Sequence, residues 1–418
     1  MNVIHLSTSD IDGGAAIAAY RLHSGLRRNG VNSIMHVGKK LTDNASVITG
    51  RSKLEKGWPL VTPTIDKLPL LFYRKRTNTF FSPQLITNVF RPRVMHDRSI
   101  DVVNIHWICN GYLRIGELRK MRQPVVWTLH DMWPFTGGCH YTQDCLQYET
   151  SCGYCPQLGS RHMHDLSHYI MDYKKSAWSD LNLTIVAPST WLAQCARSSS
   201  LFHSRRILVI PNGIDIDQYK PVNKSTAREL LMLPQDKKLI LFGAMNAIQD
   251  PRKGYQHLIQ VLKILRQDIA GNDVEVVVFG SSTAAGSQDT PFPSHYIGRL
   301  HDDISLAVLY SACDVFIAPS VQDNLPNTIM EALACGTPCA AFHVGGMPDM
   351  IDHLGNGYLA RSFDTTDLAR GVSWILDDQS RWNVLSSKAR DKVMTHFASH
   401  AVASRYADLY REIEKQSV

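Results

Sequence analysis

Short apolar runs rich in β-branched residues alternate along this chain with longer stretches of mixed polarity, a rhythm that suits buried parallel strands joined by helices. The first run, Asn2 to Ser7, predicts a strand. A loop holding Asp12-Gly13-Gly14 follows, then an alanine-rich helix from about Ala15 to Asn29, ended by Gly30. Strand, glycine loop and helix are the opening unit of a doubly wound α/β sheet. Further strands are predicted at Val102 to Trp107, Val125 to His130 and Thr184 to Pro188. A second series begins after Arg205, where Ile207 to Ile210 leads through PNGID into a turn-rich connector. Strands at Leu239 to Gly243, Glu275 to Gly280, Val315 to Pro319 and Pro338 to Phe342 follow, with helices such as His257 to Asp268 between them.

The expected architecture is therefore α/β, with two doubly wound halves facing across a cleft. The first half is 1–205 and carries a Cys-rich loop at 137–158; the second is 206–399. A final helix, about His400 to Lys415, is expected to pack back on the first half. Ligands of such sheets bind outside the carboxyl ends of the strands. The glycine loop, His106, His130, the Gly243 loop and the Ser320 to Glu331 segment all fall at predicted strand ends.

A length of 418 residues agrees with two domains, since single cores stop growing beyond roughly 250–300 residues. A hydrophobic content of 44% and a charged content of 20% are ordinary for a soluble globular enzyme. No apolar run approaches the roughly 18 residues that span a bilayer. The start, MNVIHLSTSDIDGG, lacks a basic n-region, so a cytoplasmic address is expected. The formal net charge is +6, yet Arg51 to Arg98 alone carries ten Lys and Arg against three Asp and Glu. That segment, 51–98, also holds Trp58, Phe72, Tyr73, Phe80, Phe81 and Phe90. The mixture suits peripheral contact with an anionic membrane face, or an anionic acceptor; a solvated, partly buried loop region explains it equally well. Nucleic acid is not expected as a partner, because no recognised binding module accompanies the patch.

The most informative stretch is SVQDNLPNTIMEALACGTPCAAF, Ser320 to Phe342. Two carboxylates, Asp323 and Glu331, flank a helix start near Pro326, with backbone N–H groups of Asn327, Thr328 and Ile329 between them. A helix N-terminus favours phosphate, and carboxylates accept hydrogen bonds from sugar hydroxyls. The segment thus fits a sugar attached to a diphosphate. Asp250-Pro251-Arg252-Lys253-Gly254 reads as the start of the next helix after the LILFG strand. Cations at a helix start are unfavourable unless an anion sits there, which points Lys253 and Arg252 at a leaving diphosphate.

His130, at the end of VVWTLH, can donate to a substrate hydroxyl or stabilise developing charge. His106 reads more simply as structural. Asp12-Gly13-Gly14 lacks the G-x-G-x-x-G spacing of a dinucleotide fingerprint, which argues against an NAD enzyme. Cys139, Cys145, Cys152 and Cys155 are clustered, with His140 adjacent. Structural zinc bracing a loop is the leading reading of the four; buried free thiols and a disulfide pair stay open as alternatives.

Over nearly its whole length the chain resembles the family-4 retaining glycosyltransferases of the GT-B fold. The segments that carry the likeness include GGAAIAAYRLHSGLRRNG, VVWTLHDMW, VIPNGIDIDQYKP, DPRKG, GRLHDDISLAVLYSACDVFIAPS and DNLPNTIMEALACGTP. WTLHDMWPFTGGCHY and its cysteines are most similar to enzymes of bacterial exopolysaccharide clusters, including the colanic acid type. The resemblance implies that Glu331 holds the nucleotide ribose and that Asp323 stands near the donor sugar's hydroxyls. The backbone at Asn324, Leu325, Pro326, Asn327 and Thr328 would meet sugar and phosphates. Lys253 would bind the diphosphate, Gly14 would lie near the phosphate, and His130 would touch the transferred sugar. Two departures stand out. Asp323 replaces the usual glutamate, shortening its reach, and Ala244 replaces an arginine, for which Arg252 is the candidate substitute.

The expected activity is that of a hexosyltransferase. A sugar would pass, with retention, from a nucleotide sugar such as a UDP- or GDP-sugar to a hydroxyl of a glycan or lipid-linked acceptor. No catalytic metal or other cofactor is needed, since cations and a helix end can hold the diphosphate. The rivals are a related epimerase or phosphorylase, and a nucleotide-sugar-binding scaffold subunit without turnover.

Overall fold

The computed structural model describes residues 1–50, 52–85, 97–243, 250–268, 273–280, 290–300 and 302–416. The chain divides into two compact units, one formed by Met1–Gly213 with Val402–Val418 and the other by Ile214–Ala401.

In the first unit seven parallel strands form one sheet: β1 (Asn2–Ser9), β2 (Asn32–Lys39), β3 (Val47–Ile48), β4 (Val102–Ile105), β5 (Val125–Thr128), β6 (Leu183–Ala187) and β7 (Arg206–Val209). Their order is β3-β2-β1-β4-β5-β6-β7. Helices α1 (Gly14–Arg28), α2 (Lys53–Asp66), α3 (Leu166–Trp178) and α4 (Thr190–Ser198) accompany them. Side chains alternate across the pleat. Ile4, Val103, Val125 and Ile185 enter one core with Trp127, Trp133 and Trp178, while Val3, Val102, Val126 and Val186 face another.

That second face is covered by the last helix of the chain, α12 (Ser399–Lys415), through Val402, Tyr406 and Tyr410. Asn104 Nδ2 donates to the Tyr410 hydroxyl at 2.6 Å, and the Tyr406 hydroxyl lies 3.1 Å from Thr128 Oγ1. Polar groups buried in this layer are thus satisfied rather than stranded. The 206–209 strand, which the sequence suggested as the opening of the second half, pairs with β6 and completes the first sheet. Its partly buried residues fit an edge position.

The second unit has six parallel strands: β8 (Lys238–Gly243), β9 (Val274–Phe279), β10 (Ser294–Gly298), β11 (Val315–Ala318), β12 (Cys339–Phe342) and β13 (Gly357–Ala360). They are ordered β10-β9-β8-β11-β12-β13. Its helices are α5 (Lys224–Leu230), α6 (Tyr255–Asp268), α7 (Asp303–Ala312), α8 (Asn327–Ala334), α9 (Met347–Met350), α10 (Thr365–Leu376) and α11 (Gln379–His396). Leu239, Leu241, Phe316 and Ala341 pack with α7 and α8 on one face; Ile240, Phe242, Ile317 and Phe342 pack with α6 and α10 on the other.

Both sheets reverse direction of growth at one place, between β1 and β4 in the first and between β8 and β11 in the second. Loops leaving neighbouring strands there diverge to opposite faces and leave a crevice, the usual ligand site of doubly wound sheets. Gly14 lies at the first of these positions and Arg252, Lys253 and the Asp323 to Glu331 segment at the second, whereas His130 follows β5 and the four cysteines lie in a separate loop.

Candidate functional site

In the second unit the turn after β8 and the helix after β11 meet. Asp250-Pro251-Arg252-Lys253 is a separate 3-10 turn that closes at Gly254, and α6 starts only at Tyr255. So Lys253 precedes the helix rather than opening it. Gly254 has φ +70, and a Cβ there would lie 1.8 Å from the Pro319 carbonyl oxygen. Only glycine lets the turn approach the exit of β11 this closely. The Val321 amide donates to the Arg252 carbonyl at 2.8 Å and fixes the contact.

Lys253 Nζ reaches Asp323 Oδ2 at 2.6 Å. Asp323 is held in turn: its other oxygen accepts from the Asn324 amide at 2.9 Å, and its carbonyl accepts from the Gly346 amide at 3.1 Å. The Arg252 guanidinium forks onto its neighbour Asp250, with Nη2 2.7 Å and Nε 3.1 Å from the carboxylate oxygens. Its charge is therefore engaged locally, unlike that of Lys253, which crosses to the next segment.

Pro326 caps α8 with extended backbone and no capping side chain. The Ile329 amide turns back to the Pro326 carbonyl at 3.2 Å, while Asn327 and Thr328 occupy the first turn, whose amides have no intrahelical acceptor. Pro326 and Thr328 line a narrow cavity together with Lys253, Gly243, Pro319 and Ser320. Leu325 is buried and belongs to the apolar core beneath. Glu331 lies further along the helix, buried, and accepts from the Tyr310 hydroxyl at 3.0 Å. Burial and the Glu331 carboxylate both push the Tyr310 phenol up, which keeps it a donor. Tyr310 was not anticipated; it sits inside the helical run LAVLYSAC, where nothing in the spacing marks it. Ala244 lies outside the described residues.

In the first unit the loop after β1 brings Gly13 to φ +96 before α1 begins at Gly14. A pocket of about 490 Å³ opens there, lined by Asp12, Gly13, Gly14, Trp107, Asn110 and Tyr112. His106 and His130 follow β4 and β5, and their rings are in hydrogen-bond contact, His106 Nδ1 to His130 Nε2 at 3.0 Å. Burial lowers His130 to about 4, so the ring is neutral at pH 7.

Asp131, next to it, is bound by His140 Nδ1 at 2.6 Å, the Trp107 indole at 2.9 Å and the Trp133 amide at 2.9 Å. Burial raises its carboxyl, but these partners outweigh that and hold it below the usual range. His140 thereby fastens the Cys-rich loop to the loop after β5; Ser82 Oγ lies 2.9 Å from its other nitrogen.

Cys139, Cys152 and Cys155 are buried in the apolar core, and Cys145 lies at the rim of an open pocket of about 780 Å³. Burial raises the Cys139 thiol well above its ordinary value and Cys155 to about 11, and the Gly137 amide donates to Cys152 Sγ at 3.2 Å. Among the described residues no three His, Cys, Asp or Glu side chains form a set able to hold a metal ion. As placed, the four cysteines do not fit a shared zinc.

Comparison with known proteins assigns the family. The model of Glycosyltransferase Family 4 matches residues 12–218, and that of Glycosyl transferases group 1 matches 236–378. A protein of Escherichia coli (strain K12), assigned to colanic acid biosynthesis as glycosyl transferase WcaC, is 26% identical over 375 residues, 85% of this chain and 86% of that protein. A D-inositol 3-phosphate glycosyltransferase of Catenulispora acidiphila is 29% identical over 222 residues, covering 50% of this chain and 51% of its own length. The fold matches sucrose-phosphate synthase of Thermosynechococcus elongatus with a TM-score of 0.67, 18% identity and 99% coverage of both chains. It also matches Anabaena Alr3699/HepE in complex with UDP-glucose, with a TM-score of 0.63, 16% identity and coverage of 99% and 100%. Two parallel-sheet Rossmann-like domains, matched over both halves by these models, make this chain a member of the family-4 glycosyltransferases with the GT-B fold.

Proposed function

We propose that the chain transfers a hexosyl group, with retention, from a UDP- or GDP-sugar to a hydroxyl of a glycan or lipid-linked acceptor in surface polysaccharide biosynthesis. The observation that carries this reading is the Lys253–Asp323 pair, 2.6 Å apart, beside the uncapped start of α8. Lys253 and the helix-start residues Pro326 and Thr328 line one narrow cavity, and an ammonium beside a helix N-terminus suits a diphosphate. On leaving, the diphosphate gains negative charge, and these fixed groups favour that charge without reorganising. Lys253 is the principal cation, since Arg252 is committed to Asp250. Asp323 orients Lys253 and meets donor hydroxyls, while Glu331, aimed by the Tyr310 hydroxyl, meets the ribose. Catalysis needs no metal, because the charge is met by side chains and amides.

The relatives' names, colanic acid biosynthesis and inositol phosphate glycosylation, and the UDP-glucose bound by HepE support a nucleotide-sugar donor and a hydroxyl acceptor. Peripheral contact with a cytoplasmic membrane face belongs to the same reading. Leu71 and Phe72 are 73% and 88% exposed, and Arg74, Lys75 and Arg76, all exposed, follow directly. Apolar anchors beside cations suit an anionic lipid surface. Residues 86–96 of that segment lie outside the described residues. No helix among the described residues is long and apolar enough to cross a membrane. Incubating the protein with UDP-, GDP-, ADP- and TDP-sugars and pooled polysaccharide acceptors, then reading the product's anomeric configuration by NMR, tests the assignment. A retained linkage supports it; an inverted linkage, or acceptor-independent epimerisation, defeats it.

A further inference from the structure

Strand β4 and His106 after it are buried throughout, and Trp107, the next residue, is only half-buried. Its backbone is fixed by the end of β1, where the Thr8 amide and hydroxyl both donate to the Trp107 carbonyl, at 2.8 and 3.0 Å. Its indole is held as firmly. Nε1–H donates to Asp131 Oδ2 at 2.9 Å; the same oxygen accepts from His140 Nδ1 at 2.6 Å, and Oδ1 accepts from the Trp133 amide at 2.9 Å. These partners hold the Asp131 carboxyl below its usual range, so it is an ionised, acceptor-only group and its bond to the indole is charge-assisted. Ser82 Oγ, 2.9 Å from His140 Nε2, steadies that ring in turn. The Phe80 and His140 rings pack beside the indole, with centroids 5.9 and 5.6 Å away, and Phe80 is 44% exposed.

Trp107 also lines the first unit's pocket of about 490 Å³, a size within the roughly 300–1,000 Å³ of ordinary ligand sites. Pro59 and Pro63 of α2 add apolar wall. The helix closes tightly on the loop after β4: a Cβ on Gly111 would lie 2.5 Å from Thr62 Cβ. The charged residues of the lining are Asp12 and Lys39, and they pair with each other at 2.9 Å, so the lining has no formal charge left over. Apolar walls, a fixed aromatic ring and a few polar groups suit a pyranose. The C–H groups on one face of the sugar pack on the indole, and the hydroxyls around its rim reach the polar side chains. A sugar acid would bring a second carboxylate up to Asp12.

We propose that Trp107 is the platform on which a neutral pyranose of the acceptor stacks, and that Asp131, braced by His140, is the positioning residue that sets its indole. That the sugar belongs to the acceptor rests on the proposed transferase reading, which gives the donor diphosphate to the second unit; the saccharide platform itself does not rest on it. The proposal thereby narrows the acceptor to an uncharged sugar at the end that receives the new linkage.

The test is proton–nitrogen correlation NMR on the full chain carrying nitrogen-15 tryptophan, with indole peaks assigned by single Trp→Phe variants. The probes are methyl glucoside, methyl galactoside and methyl mannoside, with methyl glucuronide as the anionic counterpart. At least one neutral probe should shift the Trp107 Nε1–H peak of the wild-type chain saturably, and the glucuronide should shift it less at equal concentration. No shift with any neutral probe, or tighter binding of the glucuronide, overturns the proposal. Asp131→Leu should move the Trp107 peak upfield and weaken the neutral probe severalfold, and Asp131→Asn, which keeps an acceptor oxygen, should recover part of that loss. A moved peak with unchanged probe affinity overturns the positioning role. Transfer kinetics supply the second arm. With the acceptor found in the transfer screen, Trp107→Ala should raise the acceptor KM about tenfold and change kcat less than about threefold, while calorimetric donor affinity stays as in the wild type. Trp107→Phe, which keeps an aromatic face, should recover most of the loss. Weakened donor binding with an unchanged acceptor KM overturns the assignment to the acceptor. Saturable pyranoside binding at Trp107 with no transfer from any nucleotide sugar defeats the transferase reading and leaves the platform standing.

Discussion

The two sheets end alike and are dressed differently. At the β8/β11 reversal the loops carry formal charges, Lys253 against Asp323 and Arg252 against Asp250, and α8 adds the buried carboxyl of Glu331. At the β1/β4 reversal and the adjoining end of β5 the rings of His106 and His130 are held neutral by burial, and the carboxylates are engaged nearby, Asp131 with His140, Trp107 and Trp133, Asp10 with Thr42, and Asp12 with Lys39. Topology places a site at both ends, but the residues just past each strand decide what it can hold. One end suits an anion; at the other the strand ends carry neutral imidazoles, and the charges of Asp12 and Lys39 answer each other.

The largest expected effect comes from breaking the charged end. Lys253→Ala removes the cation and leaves Asp323 without its partner, so kcat/KM should fall by well over tenfold, more than about 1.4 kcal/mol. Glu331→Gln should fall by a similar factor, and Arg252→Ala by less, since Arg252 already serves Asp250. Full activity in both Lys253→Ala and Glu331→Gln would erase the distinction between the two ends.

Acid should break the neutral end first. His23, His36 and His130 have folded values lowered to about 4, and burial also lowers His5 and His106 well below the ordinary value. A histidine lowered in the fold binds fewer protons folded than unfolded, so stability falls as pH drops from about 6.5 toward about 4. All five lie in the first unit. Hydrogen exchange followed by mass spectrometry at about pH 4.5, corrected for the intrinsic rate, should show the first sheet losing protection before the second. Equal loss in both would contradict the contrast.

A smaller effect is expected at the exposed apolar turn. Neutralising Arg74, Lys75 and Arg76 should reduce flotation with anionic vesicles severalfold. Unchanged flotation would assign that segment to solvent. The smallest signal expected is metal: purified protein should hold less than about a quarter equivalent of zinc, because as placed the four cysteines do not form a set able to hold an ion. One full equivalent would restore the zinc reading.

Much of this was legible from residue order. The strand runs of both sheets were visible because buried parallel strands read as short β-branched blocks, as in Val102-Val103 and Val125-Val126. Strand β2, NSIMHVGK, was missed because its half-exposed pattern dilutes that block, and β10, SHYIG, because every residue is partly exposed. The helix start at Pro326 and the two carboxylates beside it stood out through local chemistry alone. Contacts over long separations did not: Lys253 with Asp323, Tyr310 with Glu331, and His5 with His106 depend on which strands become neighbours. A histidine inside the apolar NVIHLS strand was the available hint of the last of these.

Calorimetric titration of UDP- and GDP-sugars into the wild-type chain and into Lys253→Ala tests the central claim most directly. One donor should bind the wild type at a single site with favourable enthalpy, and its affinity should fall at least about tenfold in Lys253→Ala. Equal affinity in the two proteins, or no binding of any donor to the wild type, would contradict the account.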